Sequence, residues 1–479
     1  MQKAILSFFL CAMLALGITL AGCNGTFSVM GVSNPGSAAV SLSIGDDPPA
    51  GVAILRFQVQ ITSATLQPQD NTKPAVSMLL GPLNVELLHL QTETAPLGNV
   101  NVPAGTYTGL SASFANPQMT IFNTTGQTLN VGAQSCAANQ VCILNPTLNQ
   151  SSASVQSPTA PFPVTLSANS PLGFEMHFDV NASVQGDLSV TPQITLKQII
   201  PPTATSPIDQ FHLIGRVTAV SSPNFTIQTG FASLSAVITT DSNTKYNFGK
   251  TCAADNFSCL ATGQVVGVAI NLLPDGTLVA TGVRLFETMN APSLQGIVVR
   301  VNAAQNQFDM VLVDLQEQFA SVNFGALITV HLDSLTTFAV DADDVTVPSG
   351  LSFASAQDLL AGQFVEVHPS ASPVVTLTSN PPLINVNVDS ITLDTTQFPG
   401  TVGAVNAGGN PPDFTLVALS PLFAQASVTL IDVDSVTGTQ YINVSGLSGL
   451  SAGDKVSVAG LLFKTSGPPA LVAERVRLH

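Results

Sequence analysis

The sequence predicts an all-β protein, an N-terminal β-sandwich followed by three small antiparallel β-barrels. Three observations carry this prediction. Apolar and polar residues alternate in strand-length runs such as ILRFQVQITSATLQ and LGFEMHFDVNASV. No window keeps helical spacing with caps for more than a turn or two. Past residue 210, three segments align with one another at a period of about ninety residues, too long for a solenoid unit and suited to a small barrel.

The elements follow in chain order. Residues 1–22 carry one positive charge at Lys3, an apolar run from Ala4 to Leu20 and then small residues, the pattern of a cleaved secretory signal. Leu20-Ala21-Gly22-Cys23 resembles the lipobox of bacterial lipoproteins, which implies that Cys23 takes diacylglycerol and becomes the first mature residue. The expected partner is then a membrane, reached through acyl chains worth about 0.8 kcal/mol per buried methylene. No later stretch is long and apolar enough to cross a bilayer. Asn24, where an aspartate would signal inner-membrane retention in some bacteria, favours the outer membrane.

Residues 23–37 read as a tether. Residues 38–200 hold the sandwich, with strands in VSLSIGD, NVELLHL, GTYTGLSASF and LGFEMHFDV separated by Pro, Gly and Asn. Asp46 and Asp47, just before Pro48, read as turn-formers. The opening strand with GDDPP, NVPAGTYTGL and FEMHFDVNAS followed by VTPQITLKQI resemble an uncharacterised sandwich-domain family common in bacterial lipoproteins, which has no established activity to carry over. Residues 201–210, PPTATSPIDQ, read as a linker whose composition resists helix and packed strand alike.

The three barrels are predicted over 211–289, 290–395 and 396–479. Their opening pieces are LIGRVTAVSSPNFTIQT, LQGIVVRVNAAQNQFDMVLV and FPGTVGAVNAGGNPPDFTLVAL, each a glycine, a β-run, a polar turn and a return strand led by Phe. About five strands per copy would let each close and hide its edges. These copies resemble an uncharacterised bacterial repeat family with an OB-like barrel, usually extracytoplasmic.

Composition limits the function. Thirteen Lys and Arg stand against 29 Asp and Glu, a net charge of −16, and no predicted domain has the basic stripe that phosphate binding needs, so nucleic acid is not an expected partner. OB-like barrels often bind oligosaccharides as well, but with no Trp and only three Tyr the flat platforms for sugar rings are scarce. The 25 Phe, set in alternating strands, read as core. Besides Cys11, which leaves with the signal, and Cys23, the cysteines form two local pairs: Cys136 with Cys142 and Cys252 with Cys259. Neither has the two-residue spacing of a zinc knuckle or thioredoxin-like site, so both are expected to be disulfides in an oxidising compartment.

Gly449 to Gly453 reads GLSAG and fits G-x-S-x-G, which in α/β-hydrolases presents a nucleophilic serine between a buried strand and a helix. Here DKVSVAGLLF follows and alternates as a strand, while the aligned copies read LATG (Leu260 to Gly263) and LLAG (Leu359 to Gly362). The expectation is a β-turn whose glycine takes positive φ, not a catalytic serine. Glu175, His177 and Asp179 share one strand face and have the residue types of a metal or acid–base site, or of a polar solvent face, which is the commoner origin of such a pattern. The remaining histidines, His89, His212, His331, His368 and His479, are scattered. Asp341, Asp343 and Asp344, and Asp432 and Asp434, are the groupings most like a calcium site, without the spacing of an EF-hand loop. There is no P-loop or dinucleotide fingerprint, and no cofactor is expected. The expectation is a non-catalytic envelope lipoprotein that contacts an envelope or surface protein or acts as a spacer. The competing class is a binding protein for an extracellular glycan or small molecule, with calcium as a possible aid.

Overall fold

The computed structural model describes residues 26–27, 36–47, 53–79, 81–92, 94–201, 207, 209–229, 235–248, 252–287, 293–313, 325–342, 345–371, 374–376, 383–409 and 411–479. Nearly all regular structure is strand, with only short helical turns among the described residues.

The sandwich has two sheets. In the larger, Gly105–Phe122 is central: Ala53–Pro68 lies along one edge, and Val141–Leu144, Ser152–Gln156 and Val164–Leu166 pair in succession along the other. The smaller runs Ile194–Ile199, Leu172–Asp179, Ser37–Asp47, Ala95–Pro103. Its central pair is parallel, with Phe174 opposite Leu42 and Met176 opposite Ile44. Alternation puts Val40, Leu42, Ile44, Phe57, Val59, Ile61, Phe174, Met176 and Phe178 into one buried core, as the period-2 pattern requires. Phe178 meets the edges of Phe57 and Phe114 at 6.0 and 5.4 Å.

Each barrel has five principal strands. The first strands are Asp209–Ser221, Leu294–Asn302 and Thr396–Asn406; the second Asn224–Thr229, Gln307–Leu312 and Asp413–Val417; the third Ser235–Thr239, Leu327–His331 and Ile431–Ile442. The fourth are Val265–Leu272, Phe364–Pro369 and Lys455–Phe463, and the fifth Leu278–Glu287, Leu383–Asp394 and Ala470–Leu478. All three follow the order one, two, three, five, four and back to one, with only the third and fifth strands parallel. That is OB-type connectivity. Every first strand bulges at one place, between Val217 and Ala219, Val298 and Arg300, or Val402 and Val405, which bends it so that it pairs with two neighbours around the barrel. The glycine before the bulge is required by contact: a Cβ on Gly215 or Gly296 would lie 2.8 or 2.4 Å from the carbonyl oxygen of Gln228 or Val311. The return-strand phenylalanines, Phe225, Phe308 and Phe414, are all buried.

The domains are not beads on a string. Leu461, Phe463 and Val472 of the third barrel belong to the core cluster of the second. Ala53, Leu55, Phe122 and Val141 on the sandwich pack with Val299 and Val311 of the second barrel and with Ala361 and Leu422. Arg284 of the first barrel pairs with Asp341.

Local expectations are corrected at three places. Asp46 and Asp47 end a strand, opposite Phe178 and Asp179, instead of forming a turn. Asp209 and Gln210, placed in the linker, open the first strand of the first barrel. Within the expected tether, Thr26 and Phe27 form a short strand paired with Ser235 and Ala236.

Candidate functional site

Ser451 stands in a turn that is built three times. A 3-10 turn (Phe257–Cys259, Ala356–Asp358, Leu447–Gly449) leads into a buried leucine, Leu260, Leu359 or Leu450. Three residues later comes a glycine with φ of +94° at Gly263, +98° at Gly362 and +96° at Gly453. Its N–H donates to the first-strand carbonyl of Val217, Val298 or Val402 at 2.8 Å in each copy. The oxygen of the next side chain, Gln264, Gln363 or Asp454, accepts from the backbone N–H of Ala261, Leu360 or Ser451 at 2.8, 2.7 and 2.7 Å. The Ser451 position is therefore used through its backbone, whichever side chain it carries. A strand, Lys455–Phe463, follows, where a nucleophile elbow needs a helix. The turn's work is to lock strand four onto strand one.

The polar trio on the sandwich does not face solvent as expected. Glu175 is 4% exposed, and its carboxylate accepts from the guanidinium of Arg477 in the fifth strand of the third barrel. His177 Nε2 lies 3.2 Å from the same carboxylate oxygen. Burial opposes ionisation of Glu175, but the His177 hydrogen bond and the charges of Arg477, His177 and Lys197 outweigh it and hold the carboxyl down to about 2. Asp179 has a different job: its Oδ1 accepts from Ala182 N–H at 2.8 Å and caps a one-turn helix.

The other candidates disperse. His331 contacts Asn385 at 3.1 Å and His479 contacts Ser457 at 2.7 Å, while His368 lies 3.7 Å from Glu366. Asp432 and Asp434 are raised from the ordinary aspartate value, first by burial and then by the charge of Asp413, which sits opposite Asp434 across the sheet. Among the described residues, no group of three or more His, Cys, Asp or Glu is arranged to hold a metal. Asp343 and Asp344 lie outside the described residues, as does Cys23, and nothing is described of the His89 side chain. Cys136–Cys142 and Cys252–Cys259 are disulfides.

Sequence reasoning missed the place where the sandwich and the second and third barrels meet. A cavity of about 90 Å³ lies there, walled by Leu55, Leu88, Ile297, Phe364, Phe398 and Leu422 and touched by Glu86, Gln91 and Ser420. Glu86 accepts from Phe57 N–H at 2.8 Å, and its charge faces that of Arg56, whose guanidinium burial pushes below its usual value. Gln91 is 4% exposed, and its Oε1 has no hydrogen-bond partner among the described residues. A buried acceptor left without a donor costs about 1–3 kcal/mol, so a donor as small as water is stabilising beside it. The space is smaller than the roughly 150 Å³ of an engineered cavity that admits benzene. A glutamine after LLHL reads as ordinary surface, so no sequence signal marked it.

Comparison with known proteins gives architecture without activity. Residues 37–197 match the model of a domain of unknown function (DUF4382), and residues 214–284 match a second (DUF5666). Among solved structures, "drosophila Unr CSD456" aligns at 10% identity over 56% of this chain and 97% of its own, with a TM-score of 0.12, too slight to bear on function. No curated protein matches the chain.

Proposed function

We propose that this chain is a non-catalytic cell-envelope lipoprotein, held by lipid on Cys23, that presents its barrels as an interaction or spacer module. The observation that carries this reading is the shared packing of the sandwich with the second and third barrels, in which Phe463 enters the second barrel's core cluster and Leu422 packs with Leu55. A body built this way transmits position from its anchor, whereas flexibly linked domains would not. The loops on its barrels then supply repeated contacts, and similar domains engaging one repetitive partner gain avidity. The partner we favour is an envelope or surface protein, since the net charge of −16 disfavours nucleic acid. Placement in the outer membrane rests on Asn24 after the lipidated cysteine.

A second reading, binding of a small extracellular molecule, is favoured by the Gln91 oxygen beside the junction cavity, which has no donor among the described residues. Cross-linking in native membranes separates the two. A reproducible protein partner, lost on deleting the barrels, supports the first; recovery of lipid and copies of the chain alone supports a spacer. A small ligand that binds only the native state would raise the melting temperature and support the second reading.

A further inference from the structure

The three barrels differ at one seam. Before any register shift, parallel pairing of the third and fifth strands spans five positions in the second barrel, Leu327–His331 with Leu383–Asn387, and four in the third, Asp432–Ser435 with Ala470–Ala473. In the first, only Thr239 and Val279 pair among the described residues. The edge of the third strand at Ser235 and Ala236 is taken instead by Thr26 and Phe27, running parallel to it. An open strand edge is a template for an added strand, and here the added strand comes from the residues just after the proposed lipidation site.

Thr26 is three residues beyond Cys23. Extended chain advances at most about 3.6 Å per residue, so three residues can span no more than about 11 Å between a lipidated Cys23 and the segment seated on that seam. We infer that the first barrel, not the sandwich that follows the N-terminal segment in sequence, is the module held against a lipid surface, with Thr26–Phe27 filling its seam. The inference rests on the lipoprotein reading. The neighbouring wall suits that place: Val237, next after Ala236, is 48% exposed, and residues 217–240 carry no charged side chain to be repelled by anionic headgroups. The third barrel is a poorer candidate for that face, because Asp413, Asp432 and Asp434 cluster on it.

The test uses the full chain purified from membranes. Mass analysis of the N-terminal peptide first reads whether Cys23 is acylated. The acylated protein is then placed in phosphatidylcholine vesicles carrying a headgroup quencher, with a fluorophore on Val237→Cys or on Gly408→Cys in an exposed turn of the third barrel. Stronger quenching at position 237 than at 408 is expected; equal or reversed quenching overturns the placement. Separately, Thr26→Cys with Ser235→Cys should cross-link on mild oxidation, and its failure to do so overturns the seam. An unmodified Cys23 in a chain that still cross-links would instead sink the lipoprotein reading, and the membrane placement with it, while the strand pairing stands.

Discussion

Glu175 and Arg477, 302 residues apart in sequence, form an ion pair in which both side chains are 5% exposed. It joins the smaller sheet of the sandwich to the last strand of the third barrel, and Lys197 Nζ reaches Asn443 at 2.9 Å beside it. Removing Arg477 leaves the buried Glu175 carboxylate with only His177 and the charge of Lys197 to compensate it, so Arg477→Met should destabilise the protein by up to about 3–5 kcal/mol in denaturant unfolding. A loss within the range of ordinary surface changes would mean that water reaches the site.

The pair also sets an acid limit. Glu175 is depressed from 4.5 to about 2 in the folded protein, so its contribution is fully present above about pH 4.5 and is lost as pH falls toward 2. Stability should therefore fall through that window by about 3 kcal/mol from this group alone. In Glu175→Gln this part of the slope should vanish, which parallel melts between pH 2 and 5 would read.

The repeated turn predicts a contrast between neighbours. Gly453→Ala meets no atom within 4 Å but must hold φ near +96°, and should cost about 1–2 kcal/mol of backbone strain. Gly362→Ala should cost more, because its Cβ would also sit 2.6 Å from the Phe423 ring. Ser451→Ala should leave stability nearly unchanged. A hydrolase activity lost in Ser451→Ala would overturn the non-catalytic reading.

Asp434 sits partly buried opposite Asp413 and is raised by burial, then by Asp413 and Asp432. A carboxyl raised by folding destabilises the folded state once it ionises, so Asp434→Asn should gain roughly 0.5 kcal/mol at neutral pH. The gain should disappear in acid, where both forms are neutral, and shrink in high salt. A loss on substitution, together with stabilisation by calcium of the parent protein but not of Asp434→Asn, would point to a cation among these acids.

Gln91→Leu should be neutral or stabilising in thermal melts, since it removes an unpaired acceptor from an apolar wall. Destabilisation would instead mean that Oε1 has a bound partner, and would favour the small-molecule reading.

Much of the architecture was legible because local pattern and burial agree. The glycine, β-run and Phe-led return of each barrel opening mark where Gly215 needs close approach and Phe225 enters the core. The docking of domains was signalled more faintly. GLLF (Gly460 to Phe463) and ALVA (Ala470 to Ala473) break alternation, and continuous apolar runs belong to strands buried on both faces. Glu175 read as solvent-facing because a polar strand face ordinarily meets water; Arg477, the partner that buries it, arrives through the folding of the third barrel. Gln91 had no signal at all, since an orphaned acceptor is a property of the assembled junction.

Through this packing the sandwich and the third barrel are energetically one body. A double-mutant cycle on Glu175→Gln and Arg477→Met, read by denaturant unfolding of the full chain, measures that coupling. Coupling of at least about 1 kcal/mol is predicted, as for residues in contact. Additive effects within about 0.3–0.5 kcal/mol would show that the two domains do not support one another, and the rigid-module account would fail.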